Sequence, residues 1–118
     1  MRTAAILAKG VANDCTALDA HTTLKMATLN AAKALGLNES IGSLKKGKQA
    51  DIVAINLDQL ETTPLYEPVS QIIYSGNRQQ VTDVWIAGKQ LLKERDLTTM
   101  EYGRLKEKAK SWEEKIIN

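Results

Sequence analysis

The sequence of 118 residues has few of the side chains from which metal sites are built. It contains one histidine, His21, and one cysteine, Cys15, and no HxH, HExxH or CxxC motif. A catalytic zinc ion takes about three protein ligands from His, Cys, Asp or Glu. No spaced acidic loop suited to Mg²⁺ or Ca²⁺ is present either. The sequence therefore predicts no complete metal site and no cofactor in this chain.

Other absences exclude several classes of partner. An internal disulfide is excluded because Cys15 is the only cysteine, which fits a reducing compartment. No apolar run reaches the ~18 residues of a membrane span, and the first apolar stretch ends at Lys9 without a cleavage-site pattern. The 16 basic and 14 acidic residues are intermixed, so no basic patch for nucleic acid stands out. We expect a cytoplasmic protein that binds neither membranes nor nucleic acid.

The remaining reactive side chains lack partners at the spacing that catalysis needs. His21 falls in the first turn of a predicted helix and is interpreted as a partly exposed surface residue, not a general base or metal ligand. Ser43 has no nucleophile-elbow pattern around it. Asp51 begins a predicted strand, where a carboxylate accepts hydrogen bonds from turn amides more often than it acts in catalysis. The sequence thus offers no catalytic, substrate-binding or metal-binding residue.

Two further groups have structural interpretations. Lys45, Lys46 and Lys48 surround a glycine without the GxxxxGK[ST] pattern of a phosphate-binding loop, which indicates a solvated turn. Trp85 and Trp112 are predicted to be core or interface aromatics.

Helical periodicity marks both ends of the chain. Residues 1–9 form a predicted helix with Gly10 as its stop; its face comprises Ala4, Leu7, Ala8 and Val11. A chain that opens inside such a helix without a cap indicates an excised segment, although an ordinary N-terminal helix is the alternative. A second helix is predicted between an Asp19 N-cap and Gly36. Its apolar face is rich in alanine, which predicts a close neighbour; the face comprises Leu24, Ala27, Ala31, Ala34 and Leu35.

The last predicted helix begins at a capping box formed by Thr98 and Glu101. Its apolar stripe comprises Leu105, Ala109, Trp112 and Ile116.

Between these helices the composition favours strands. Residues 41–57 predict a strand, a turn and a second strand, and residues 81–86 and 90–92 predict another hairpin around Ala87 and Gly88. Residues 58–68 predict a loop, and residues 69–74 fit either a strand or a single helical turn. The predicted fold is α+β, with a small, mostly antiparallel sheet whose edge is left uncovered.

Several patches together resemble the C-terminal part of the metal-dependent amidohydrolases. They are MRTAA at residues 1–5, MATLN at 26–30, ALG at 34–36, GSL at 42–44, GK at 47–48, ADIV at 50–53, PVS at 68–70 and VWIAGK at 84–89. The branch that they resemble holds 5-methylthioadenosine/S-adenosylhomocysteine deaminases, with guanine deaminase-like and triazine chlorohydrolase-like relatives. The resemblance runs over nearly the whole chain.

The resemblance implies a parent enzyme with a (β/α)₈ barrel and a zinc or iron ion. In that family the metal activates water, which displaces ammonia or chloride from a ring carbon. The family's ligands are a His-x-His pair, two further histidines and an aspartate, and none of them matches a position here. The resemblance therefore implies a segment that is inert alone, from a parent that deaminates 5-methylthioadenosine or S-adenosylhomocysteine.

By the same resemblance, residues 1–38 are C-terminal helices of the barrel, residues 39–97 are part of a composite β-domain, and residues 98–118 are a helix that packs on it. The implied partner is the missing N-terminal part of the parent, and the isolated chain is expected to self-associate. Two alternatives remain: a chlorohydrolase-like or guanine deaminase-like parent, and a non-catalytic binding or scaffolding module.

Overall fold

The computed structural model describes residues 1–117. Its first helix extends beyond the predicted end. Helix α1 (Arg2–Ala12) passes through Gly10 and ends at Asn13, whose φ of 50° is left-handed. The prediction that Gly10 stops the helix was wrong. Glycine inside a helix costs only about 1 kcal/mol relative to alanine, and asparagine can take the left-handed conformation that ends a helix.

The second helical stretch is interrupted by a wider turn. It comprises α2 (Ala20–Lys25), a π-helical turn (Met26–Asn30) and α3 (Ala31–Ala34). The Asp19 carboxylate accepts a hydrogen bond from the backbone N–H of Thr22 at 3.0 Å, so the predicted N-cap is confirmed. The stretch ends just before Gly36, whose φ is 69°, as predicted.

Residues 41–57 form one strand and not the predicted hairpin. Strand β1 (Ile52–Ile55) is present, but residues 41–44 are irregular and pack near α3. The Lys48 ammonium donates to the backbone carbonyls of Asn38 and Ile41, which ties the lysine-rich turn to the loop that follows α3. Strand β1 pairs with a distant strand instead.

The segment around residues 69–74, which fitted either a strand or a helical turn, is helical. It consists of α4 (Pro68–Ser70) and a second π-helical turn (Gln71–Ser75). The Glu67 carboxylate accepts from the backbone N–H of Ser70 and caps this helix. Short 3₁₀ turns at Leu60–Thr62 and Arg78–Gln80 lie on either side.

The sheet is antiparallel throughout, with strands in the order β1-β2-β3-β4. Strands β2 (Val81–Ile86) and β3 (Lys89–Lys93) form the predicted hairpin, and both turn residues have positive φ, 49° at Ala87 and 79° at Gly88. The short β4 (Asp96–Leu97) follows. The predicted α+β class with a small antiparallel sheet is confirmed.

The predicted capping box at Thr98 was wrong. The Thr98 hydroxyl donates to the carbonyl of Gln90 at 2.6 Å, and its backbone N–H donates to the carbonyl of Leu91 at 3.1 Å. Thr98 therefore extends the sheet contacts of β4, and α5 (Tyr102–Ile117) begins later.

The core of the described residues is small. It centres on Ala5, Ala20 and Ile73, around which Leu24, Val69 and Tyr74 pack, so it joins α1, α2 and the second π-helical turn. The accessible surface is 9258 Å², whereas a compact monomer of this mass exposes about 6,300 Å². The radius of gyration is 18.1 Å, against about 13.5 Å expected for a compact domain of this length. Much surface that a compact domain would bury is exposed.

Candidate interaction surface

His21 lies beside a carboxylate that its sequence neighbourhood did not reveal. Its Nε2 is 3.6 Å from Oε1 of Glu67, and its side chain is 73% exposed, as the surface interpretation predicted. The hydrogen bond from the Ser70 backbone N–H lowers the pKa of the Glu67 carboxyl, and His21 contributes a smaller effect in the same direction. The pair links the start of α2 to the start of α4. It has the geometry of a surface ion pair between two helix ends.

Cys15 is exposed in a loop that Lys9 organises. The Lys9 ammonium donates to the carbonyls of Cys15 and Ala17 at 2.7 and 2.8 Å. Hydrogen bonds from the hydroxyl and the backbone N–H of Thr16 lower the pKa of the neighbouring Asp14 carboxyl. These contacts explain the loop geometry without any reactive role for the thiol.

Asp51 has the structural role that was predicted, but at a different turn. Its Oδ1 accepts from the backbone N–H of Ala87 at 2.7 Å, so it braces the β2–β3 turn and not the lysine-rich turn. The interpretation of the lysines as a solvated turn holds for Lys45 and Lys46, which are exposed. It was wrong for Lys48, which is half-buried and donates to the carbonyls of Asn38 and Ile41 in the loop after α3.

The two tryptophans differ in exposure. Trp85 is half-buried in β2, and Trp112 in α5 is 56% exposed. Residues 1–117 contain no group of three or more His, Cys, Asp or Glu side chains that could hold a metal ion. No described helix has the length and apolar character needed to cross a bilayer.

An apolar surface, and not a reactive cluster, is the feature that these residues build. We define the helix face by Ala4, Leu7, Ala27 and Ala31, all of which are exposed. Leu7 on this face is 63% exposed. A cavity of about 200 Å³ opens between α1 and the first π-helical turn, lined by Met1, Ala4, Thr23, Met26 and Ala27. Because its side chains are small, this face is shaped to receive a closely packed neighbour.

A groove of about 350 Å³ continues from the helix face toward the sheet. It runs between α3 and the irregular segment at Gly42, and Ser43 lines it. An added Cβ at Gly42 would come within 2.7 Å of the Ala32 Cβ, so this segment packs closely on α3. Ala32 is not on the face that was predicted to have a close neighbour, and Ala27, Ala31 and Ala34 on that face are exposed. The Ser43 hydroxyl oxygen is buried without a hydrogen-bond partner in the described structure.

Strand β1 completes the surface because it lies at an edge of the sheet. No described strand pairs with its outer side, and Val53 on it is 54% exposed. An unpaired edge presents backbone N–H and C=O groups that another strand can satisfy. The predicted uncovered edge is therefore present, and the helix face, the groove and this edge together form the candidate interaction surface.

The family model described as the amidohydrolase family matches residues 1–91. The chain belongs to the amidohydrolase family. A 5-methylthioadenosine/S-adenosylhomocysteine deaminase from Teredinibacter turnerae is 46% identical over 116 residues, which cover 98% of this chain and 26% of that protein. The chain thus spans about a quarter of the length of the curated relatives it matches.

Solved structures show the same similarity. An adenosine deaminase from Xanthomonas campestris with bound zinc matches at a TM-score of 0.92 and 56% identity, over 98% of this chain and 26% of that one. An atrazine chlorohydrolase from Arthrobacter aurescens TC1 complexed with zinc matches at a TM-score of 0.73 and 25% identity, over 80% of this chain and 21% of that one. The resemblance inferred from the sequence patches is confirmed.

Proposed function

We propose that this chain is the C-terminal segment of an amidohydrolase that deaminates 5-methylthioadenosine or S-adenosylhomocysteine. The observation that carries the proposal is the 46% identity to a deaminase of that name over 98% of this chain. The reaction class is hydrolytic: an amino group on the adenine ring is replaced by oxygen, and ammonia leaves. Cys15 is exposed and is the only cysteine, which supports the cytoplasm as the compartment of the parent protein.

We propose that residues outside this chain hold the metal of the parent. A solved relative contains zinc, but the donors of residues 1–117 are scattered and do not fit a metal centre. We therefore expect zinc or iron to be held by residues outside this chain, and the chain alone to be inert.

In this proposal the role of the segment is architectural. Residues 1–38 supply the closing helices of the barrel, and residues 39–97 supply part of a β-domain. Residues 98–118 supply the helix that was predicted to pack on that domain; in the described structure residues 101–116 are exposed. The rest of the parent is the proposed cover for the candidate interaction surface. Ala27 lines both the cavity and the groove, and the groove extends to Asp51, the residue before the edge strand β1.

Mixing the separate parts tests the architectural role. We expect residues 1–118 to co-purify with the remainder of the parent when the two are co-expressed. Ala31→Glu places a charge in the groove and should abolish co-purification. Lys33→Glu, an exposed position two residues further along, is the matched control and should have little effect. Equal behaviour of the two variants would argue against this surface.

A substrate panel tests the activity. The full-length parent, loaded with zinc or iron, is given methylthioadenosine, adenosylhomocysteine, guanine and a chlorotriazine, and release of ammonia or chloride is followed. Deamination of either adenosine compound is expected. Turnover of guanine or the triazine alone would show that the proposed substrate is wrong and would leave the family assignment unchanged. A chlorotriazine hydrolase is the second candidate, because the chain is similar to an atrazine chlorohydrolase.

The non-catalytic alternative is tested separately. If the gene carries no reading frame for an HxH motif upstream of Met1, and the native protein has the mass of the short chain, the segment is a stand-alone module. An open upstream frame that encodes the histidines supports the hydrolase.

A further inference from the structure

Helix α5 carries an apolar stripe that nothing in the described structure covers. Every residue from 101 to 116 is exposed, and Trp112 and Ile116 are 56% and 80% exposed. The helix also lies outside residues 1–91, the part that the family model matches. A large exposed aromatic on an amphipathic helix is typical of a contact surface.

The stripe has the spacing of a coiled coil. Its members alternate at intervals of three and four residues and occupy five successive a and d positions of a heptad: Tyr102, Leu105, Ala109, Trp112 and Ile116. A β-branched residue at a and leucine at d favour a two-stranded parallel pair. Ile116 and Leu105 match this preference, whereas the other a positions hold Tyr102 and Ala109 and the other d position holds Trp112.

The flanking charges distinguish the parallel from the antiparallel arrangement. In this register Glu101 and Lys108 occupy g positions, and Lys106 and Glu113 occupy e positions. In a parallel pair, each g residue faces the following e residue of the other copy. Glu101 then faces Lys106, and Lys108 faces Glu113, so both contacts join opposite charges. An antiparallel pair that overlaps the same stripe would also join Lys106 to Glu113, but it would set Lys108 against Lys115, so only the parallel pair has no contact between like charges at these positions.

We propose that α5 forms a parallel two-stranded pair with α5 of a second copy of this chain. The Lys115 ammonium lies 5.1 Å from the centre of the Trp112 ring, so a g residue of this register contacts a d residue of the stripe within the same helix. A helix of 16 residues offers little more than two heptads. The contact is therefore smaller than the ~1,200 Å² of a standard interface, and the dimer depends on concentration.

Cross-linking tests the register directly. In a Cys15→Ser background, Ala109→Cys places one thiol at an a position, where the two copies of a parallel pair face each other. Ser111→Cys, on the outside of the helix, is the matched control. Mild oxidation of the full chain should yield a covalent dimer several-fold more readily from the first variant. Equal or absent cross-linking would overturn the proposal.

Charge exchange tests the orientation by an independent measurement. Lys108→Glu sets like charges opposite Glu113 in a parallel pair, so light scattering should show a weaker dimer, and adding Glu113→Lys should restore it. In an antiparallel pair Lys108→Glu would instead relieve repulsion with Lys115, and a stronger dimer would overturn the proposal. Because both tests follow association of the helix, they are independent of the proposed hydrolase activity.

Discussion

The Asp51 carboxylate accepts a hydrogen bond from the backbone N–H of Ala87 at 2.7 Å, although 36 positions separate the two residues. A second hydrogen bond runs alongside, from the backbone N–H of Gly88 to the carbonyl of Ala50 at 3.0 Å. The two residues that precede β1 are thus hydrogen-bonded to the turn between β2 and β3. This contact holds the edge strand in register.

Replacing Asp51 by Asn should lower the free energy of unfolding by about 1 kcal/mol, because the turn amide loses a charged acceptor. Urea denaturation of the chain measures the change. Asp58→Asn is the matched control, since Asp58 is an exposed carboxylate in the following loop and should change stability little. Equal effects from both substitutions would contradict the bracing role of Asp51.

Gly42→Ala should destabilise the chain by about 2 kcal/mol or more, because the new Cβ meets Ala32 at 2.7 Å and the backbone φ is 84°. Gly47→Ala separates the two causes. Its φ is 93°, but no atom lies within 4 Å of its added Cβ, so it measures backbone strain alone. Thermal unfolding of both variants is the measurement, and equal losses would exclude the close packing against Ala32 as a cause.

Lowering the pH should destabilise α2, because protonation of the Asp19 carboxylate weakens its N-cap. Hydrogen bonds from the backbone N–H and the hydroxyl of Thr22 lower the pKa of Asp19 below its ordinary value of 3.8. A carboxyl with a lowered folded-state pKa stabilises the fold above its unfolded pKa, and this contribution is lost as pH falls through the folded value. Helical circular dichroism should therefore decline below about pH 4. Asp19→Asn keeps a capping group that does not titrate and should flatten that part of the profile.

The isolated chain should self-associate through the helix face as well as through α5. In an Ala109→Glu background, which disables the α5 stripe, size-exclusion chromatography with light scattering should still show species larger than a monomer. Adding Leu7→Glu should reduce them, because a charge then stands on the apolar face. Ala12→Glu, at an exposed position on another side of α1, is the control. A clean monomer at high concentration before Leu7 is changed would contradict this prediction.

The purified chain should bind no metal stoichiometrically and should release no ammonia from the adenosine compounds. Its sequence has one histidine and one cysteine, fewer than a catalytic zinc site requires. Metal analysis after dialysis, with the intact parent as the positive control, is the measurement. One tightly held zinc ion per chain would overturn it.

Local sequence signals predicted those elements whose stability is local. The Asp19 cap, the strand at Val81–Ile86 and the turn at Ala87 and Gly88 each follow from short-range chemistry, and the structure contains all three. The hairpin expected at residues 41–57 failed because β1 finds its partner in β2, a contact that no local pattern encodes.

The candidate surface was partly visible in the sequence. The alanine-rich face predicted a close neighbour, but Ala27 and Ala31 on it are exposed in the described structure, so that neighbour stays a prediction. The contact between His21 and Glu67 was not predictable, because 46 positions separate these residues and only the packing of α2 on α4 brings them together. The strand β4 was missed because two residues give no periodicity.

The order of strands in the sheet has a consequence for the sequence of events in folding. Strands β2, β3 and β4 are joined by short turns, so each closes a small loop on its predecessor. Strand β1 must find β2 across residues 56–80, and longer loops carry a larger entropic cost of closure. The three-stranded meander should therefore form first and act as the template on which β1 docks. In amide hydrogen exchange of the refolding chain, protection should appear in β2 and β3 before it reaches Ile52–Ile55.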